Sequence, residues 1–149
     1  MKLKRIDHIG INVRDLPAAT DFFLTLGMEI MGQADVSGDL PDRVMGLPGS
    51  SSTLAMLKTP DGTTNIELIQ FHTPESDPSL ADTFRHALPN APGIRHLTFA
   101  VEGLDALVHQ LQQKGATIMG EIVNYQDIYK LCYLRGPEGI ILELAEELT

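Results

Sequence analysis

Ile94-Arg95-His96-Leu97-Thr98-Phe99-Ala100-Val101 alternates cleanly between two kinds of side chain. Successive residues of a strand point to opposite faces, so Leu97, Phe99 and Val101 share one face and His96, Thr98 and Ala100 the other. One face suits a core. The other sets an imidazole beside small residues and leaves room for something else. The same design stands earlier, in Ile6-Asp7-His8-Ile9-Gly10-Ile11-Asn12-Val13, with His8 in the place of His96.

That echo extends into a repeat. A shift of 88 positions lays His8–Gly32 on His96–Gly120 without a gap; Gly27 meets Gly115, and Ile30-Met31-Gly32 meets Ile118-Met119-Gly120. Further on, Leu57-Lys58-Thr59-Pro60-Asp61-Gly62 resembles Leu134-Arg135-Gly136-Pro137-Glu138-Gly139, and an apolar strand with one Glu follows each. Each module therefore reads strand, helix, strand, strand, strand. In the first, Lys4–Val13 is a strand. Asp15 caps a helix with Leu16, Ala19, Phe23 and Leu26 at helical spacing, and Gly27 stops it. Met28–Val36 is a strand, Ser37–Ser51 a long loop, and Ser52–Lys58 with Thr64–Phe71 a hairpin. The connector has a short helix within Pro78–Leu88. The second module runs through strand Ile94–Val101, helix Leu104–Lys114, strand Ala116–Val123, a hairpin around Gly136–Gly139 and a last strand, Ile140–Glu146.

The expected fold is thus α+β: two tandem βαβββ modules forming a concave, mixed eight-stranded cup with helices outside. Residues 1–149 make a single domain, with module 1 at about 4–74, a connector at 75–92 and module 2 at about 93–147. Parity sends His8 and His96 to the cup, opposite the apolar residues that pack on the helices.

The 149 residues suffice for such a core, and a hydrophobic share of 43% with 21% charged fits a globular protein. A formal net charge of −9 argues against nucleic acid or an anionic membrane as partner. The single cysteine, Cys132, excludes an internal disulfide framework and a Cys-rich zinc site. No signal-type apolar region opens the chain, so a reducing cytoplasm is the expected compartment.

The last strand of each module supplies a carboxylate. Glu67 stands opposite Ile66 and Leu68, and Glu143 opposite Leu142 and Leu144. A carboxylate enclosed without a partner is costly, so each needs water, a cation or a metal. His8, Glu67, His96 and Glu143 occupy equivalent repeat positions and form an N2O2 set suited to one divalent ion: nickel, cobalt, zinc, manganese or iron. An octahedral ion with four protein ligands keeps two adjacent positions for a substrate with neighbouring oxygens. Lewis acidity then acidifies a carbon-bound proton, and a carboxylate removes it. Gly10 and Thr98, two residues beyond the histidines, leave space for that substrate. Taken singly, either histidine reads as a polar residue on a solvated sheet face; matched Glu partners in both modules favour the ligand reading.

These residues carry a family resemblance. Asp7–Leu16, Ile66-Glu67-Leu68, His96–Val101, and Pro137-Glu138-Gly139 with Leu142-Glu143-Leu144 resemble the vicinal oxygen chelate superfamily. It includes glyoxalase I, methylmalonyl-CoA epimerase, extradiol dioxygenases, and fosfomycin or bleomycin resistance proteins. The opening strand and long connector look most like the epimerase, whereas Glu67 resembles a glyoxalase I ligand where the epimerase has Gln. The resemblance implies a metal-dependent lyase or isomerase acting through an enolate or enediolate, with Glu67 or Glu143 as base, and a homodimer acting on a small molecule. Alternatives are a non-catalytic binder of the resistance type and an extradiol-type dioxygenase using His8, His96 and Glu143. Arg43, in the Ser37–Ser51 loop, is placed to meet an anionic substrate if that loop closes over the cup; an ordinary surface loop is the plainer reading. His72, His86 and His109 read as ordinary polar residues and Cys132 as core.

Overall fold

Strand pairing follows the apolar faces. The computed structural model describes residues Met1–Thr149 and divides into two units, Met1–Ser76 and Asp77–Thr149. The first holds β1 (Ile9–Asn12), α1 (Leu16–Leu26), β2 (Glu29–Ser37), α2 (Asp39–Met45), β3 (Ser51–Lys58) and β4 (Asn65–Thr73). Its sheet has the order β1-β4-β3-β2. β1 runs parallel to β4, and the other pairs are antiparallel. The apolar side of α1, with Leu16, Ala19, Phe22 and Phe23, is buried with Ala55, Leu57, Ile66 and Leu68. Asp15 caps α1 by accepting the Ala18 N–H at 3.0 Å. Gly27 ends it at φ 121°, a conformation suited to glycine.

The second unit repeats the plan with α3 (Pro78–Arg85), β5 (His96–Ala100), α4 (Leu104–Gln113), β6 (Thr117–Ile118), β7 (Val123–Tyr125), β8 (Tyr129–Arg135) and β9 (Ile141–Glu147). Its sheet has the order β5-β9-β8-β6, with β7 also paired to β8. Leu104, Val108 and Leu111 of α4 are buried with Cys132, Leu134, Leu142 and Leu144. The expected α+β class holds, as mixed sheets of four and five strands with four helices.

One device recurs in both units. The residue three positions beyond the mid-strand Glu caps the start of the packed helix. Gln70 Oε1 accepts the Leu16 N–H at 3.1 Å in the first unit. In the second, Glu146 accepts from Gly103 N–H at 2.6 Å and Leu104 N–H at 3.1 Å. Gly103 has no side chain with which to cap α4, and the carboxylate also meets the positive end of the helix.

Four local expectations change. β1 begins at Ile9 rather than Lys4, and β5 at His96 rather than Ile94. Ser37–Ser51 is not all loop: α2 forms between Gly38 and Gly46. Asp42 braces it by accepting from Gly49 N–H at 2.8 Å and Ser50 N–H at 3.0 Å. Ala116–Val123 is not one strand; the ladder stops after Ile118 and resumes at Val123, giving nine strands where eight were expected. The short helix expected within Pro78–Leu88 forms as α3 and is fastened to the second unit. Arg135 Nη1 donates to the Arg85 carbonyl at 2.9 Å, and Nη2 to that of Ala87 at 2.7 Å. No helix is long and apolar enough to cross a membrane.

Candidate functional site

Each unit brings one predicted histidine to one predicted glutamate. In the first, the β1–β4 register sets Gly10 against Glu67. His8 immediately precedes β1, and its Nε2 lies 3.6 Å from Glu67 Oε2. Asp7 Oδ2 stands 2.9 Å from His8 Nδ1, and Arg5 Nη2 donates to Asp7 Oδ1 at 2.8 Å. The carboxylate accepts the ring proton from Nδ1, which leaves the Nε2 lone pair facing Glu67. The Asp7 hydrogen bond raises the His8 pKa above its ordinary value; partial burial opposes this and the Glu67 charge supports it. The Asp7 carboxyl is held below its ordinary value by hydrogen bonds from His8 and then Arg5.

In the second unit, Thr98 stands opposite Glu143 on β9 and Tyr133 opposite it on the other side. His96 Nε2 lies 3.4 Å from Glu143 Oε2. Thr98 Oγ1 donates to Glu143 Oε2 at 2.9 Å. The Tyr133 hydroxyl is 3.5 Å from His96 Nε2, and the two ring centres are 5.0 Å apart. Desolvation, followed by the Glu143 charge, pushes the Tyr133 phenol up. The side chains of Glu67 and Glu143 are each 19% exposed, so the repeat delivers two carboxylates to equivalent, mostly enclosed positions.

The donor geometry suits metal chelation. Two donors each about 2.1 Å from one ion stand about 3.0 Å apart at a right angle and about 3.4 Å apart at a tetrahedral one. The pairs, at 3.6 and 3.4 Å, are longer than a good N–H···O bond and close to such a bite. Imidazole nitrogen with carboxylate oxygen suits the divalent first-row ions. Each unit brings together one imidazole nitrogen and one carboxylate oxygen, and no group of three or more His, Cys, Asp or Glu side chains converges.

Other predicted residues fall as follows. Arg43 is exposed on α2 and pairs with Asp39 at 3.3 Å. Gly10 leaves space for a small side chain, since an added Cβ would meet only Ile69 Cδ1, at 3.9 Å. His86 and His109 are exposed and Cys132 is buried, as expected. His72 is exposed and bonds Thr53 on the sheet face opposite Glu67. Two residues beside the histidines were given no site role by sequence reasoning, which left Tyr133 open between cup and core and quoted Asp7 only within the opening motif. Tyr133 is recoverable by counting back across the hairpin turn to the residue opposite Glu143. Asp7 is recoverable as a carboxylate adjacent to a ligand-type histidine, and the repeat does not repeat it: Arg95 stands at the equivalent position.

Comparison with known proteins bears on the family and the fold. Residues 5–144 match the Glyoxalase/Bleomycin resistance protein/Dioxygenase superfamily. The uncharacterized protein YwbC of Bacillus subtilis is 30% identical over 142 residues, covering 94% of this chain and 95% of that protein. A glyoxalase family protein of Bacillus cereus, known by crystal structure, is 43% identical with a TM-score of 0.94, covering 100% of this chain and 97% of that one. The fosfomycin resistance protein FosX of Listeria monocytogenes shares the fold at a TM-score of 0.62 and 13% identity, covering 99% and 94%. The chain therefore belongs to the glyoxalase/bleomycin resistance protein/dioxygenase superfamily.

Proposed function

We propose that His8, Glu67, His96 and Glu143 together hold one divalent metal ion, nickel, cobalt, zinc, manganese or iron, and that the two units serve one reaction as a single functional domain. The protein is then a lyase or isomerase that moves a proton next to a carbonyl in a small substrate. The observation that carries this reading is the recurrence of one His Nε2 against one Glu Oε2, at 3.6 and 3.4 Å, at matching positions of two modules. The ion supplies Lewis acidity toward two neighbouring substrate oxygens.

The protein's own residues divide the remaining work unequally. Glu143 is engaged by the Thr98 hydroxyl at 2.9 Å, which holds its carboxylate in place. Glu67 faces Gly10 across the ladder, and no hydroxyl donates to it. Glu67 is therefore the carboxylate free to turn toward a substrate carbon and take its proton. Glu143 serves as the fixed ligand, and the Tyr133 hydroxyl beside His96 offers a hydrogen bond to a substrate oxygen. The working assembly is a homodimer.

The test is exchange of solvent deuterium into thioesters, hemithioacetals and hydroxy-ketones by the metal-loaded protein. Exchange that falls about 100-fold or more in Glu67→Gln, with metal still bound, supports the assignment. Absence of exchange from all three substrate classes overturns it.

A further inference from the structure

The face of the second sheet that carries His96 and Glu143 continues past them along the strands. Residues paired across a ladder point to the same side, so each register position gives one row of that face. Thr98, Glu143 and Tyr133 make the row at the donor pair. The next row, two residues and about 7 Å along, holds Ala100, Ala145, Leu131 and Val123. The row after it pairs Tyr125 with Tyr129, opposite Glu147. The alternate residues of the same strands, Cys132, Leu134, Leu142 and Leu144, fill the core on the other side. The apolar row is left open: Leu131 and Ala145 are half-buried and Ala100 is exposed. Val123, Tyr125 and Tyr129 are 41%, 55% and 40% exposed.

Charge on this face is as selective as its apolarity. Arg135 is the only cation among its strand residues, and it stands on the other side of the donor row, opposite Ile141. Its Nη1 donates to the carbonyls of Arg85 and Gly139 and its Nη2 to that of Ala87, so it is already spent. The first unit repeats the order. Beside Glu67 comes a row with Ile69, Leu54 and Ala34, and beyond it Phe71 and Val36. Ile69 Cδ1 walls the space at Gly10, 3.9 Å from where a Cβ would stand. The one strand cation on that face, Lys58, again lies on the far side of the donor row, and it pairs with Glu29 at 3.7 Å.

We propose that the substrate carries an uncharged aromatic substituent, and that this substituent lies on the Ala100–Ala145–Leu131–Val123 row. The inference rests on the chelating role proposed above for His96 and Glu143. Continuity with that donor pair fixes the occupant: a ring bonded to a carbon that bears a chelating oxygen reaches the adjacent row. Ala100 and Ala145 leave depth for a flat ring, Leu131 and Val123 wall it, and the tyrosine pair continues the surface with aromatic faces. A charged group at the end of the ring would leave water for a surface with no free cation and with Glu147 beside it. Aryl hydroxy-ketones therefore fit better than hemithioacetals or thioesters built on an anionic thiol carrier.

The experiment titrates full-length zinc-loaded protein with 2-hydroxyacetophenone, hydroxyacetone and 4-(2-hydroxyacetyl)benzoate while recording backbone amide NMR spectra, and follows solvent-deuterium exchange into the same three compounds. Saturable shifts are expected at Ala100, Leu131 and Ala145 for 2-hydroxyacetophenone, with affinity about tenfold or more above either of the others. Ala145→Leu fills the row and is expected to abolish that preference. Val123→Lys, at an exposed position, is expected to raise affinity for the benzoate about tenfold while the melting temperature holds. Localised shifts and the aryl preference without exchange into any of the three uphold the aromatic row and overturn the proton-transfer reading. Exchange into all three with equal KM overturns the row and leaves proton transfer standing. Equal affinities, no saturable shift from 2-hydroxyacetophenone, or an aryl preference that survives Ala145→Leu also overturns the row.

Discussion

Replacing Asp7 with asparagine changes one charge and almost no volume. In the native protein Asp7 Oδ2 meets His8 Nδ1 at 2.9 Å and keeps the ring proton on that nitrogen. Asparagine can offer either its carbonyl oxygen or its NH2 group to Nδ1. The tautomer is then no longer dictated, and a proton on Nε2 would remove the lone pair that faces Glu67. Outer-shell partners of ligating histidines are worth about 10- to 100-fold in metal affinity, and the expected loss lies in that range. Competition by protons has the opposite sign. Asp7 raises the His8 pKa, so Asp7→Asn lowers it, and the proton competes less well with the metal in the variant. The wild-type advantage should therefore be fullest near about pH 8, shrink as pH falls through the raised His8 pKa toward about 6.5, and level off below that, where the variant's ring is protonated as well. Calorimetric titration with zinc or cobalt at both pH values reads the affinity. Nitrogen NMR of the metal-free protein reads the His8 tautomer. A variant with unchanged affinity near pH 8, or a wild-type His8 protonated on Nε2, would refute the reasoning.

Two predictions concern the scaffold. Glu146→Ala strips the cap from α4 and leaves the Gly103 and Leu104 N–H groups without it, so urea denaturation should show a loss of about 1–2 kcal/mol. Gly139→Ala should be harsher. An added Cβ would overlap the Arg85 Cα and lie 2.8 Å from the Arg85 oxygen, in a backbone at φ +88°. A loss of about 2 kcal/mol or more is expected from the strain and the displacement of α3, and a melting temperature within error of wild type would contradict it.

The repeat explains how much of this was readable. Side-chain parity in Ile94–Val101 and Ile6–Val13, together with the lone Glu in each closing strand, placed four residues that the structure pairs two by two. Parity is a local property, and local rules carry it. The α2 helix was illegible for a local reason as well: seven residues holding Pro41 between Gly38 and Gly46 read as loop, and only Asp42 reaching Gly49 and Ser50 shows why a helix persists. Strand ends were overextended at Lys4 and Ile94 because apolar alternation continues past the point where a partner strand exists. Capping of α1 by Gln70 and of α4 by Glu146 depends on contacts 54 and 42 residues apart, and no propensity announces them. The same holds for Thr98 on Glu143, the contact on which the proposed division of roles between the two glutamates rests.

The central claim is that two half-sites serve one ion. Titration of metal-stripped protein with cobalt, followed by its visible absorption and by calorimetry, tests it most directly. About one ion per chain is predicted, with binding weakened strongly and separately by His8→Ala, Glu67→Ala, His96→Ala and Glu143→Ala. A protein that takes up no divalent ion, one that binds an ion independently in each unit, or one whose binding survives loss of either pair would contradict it.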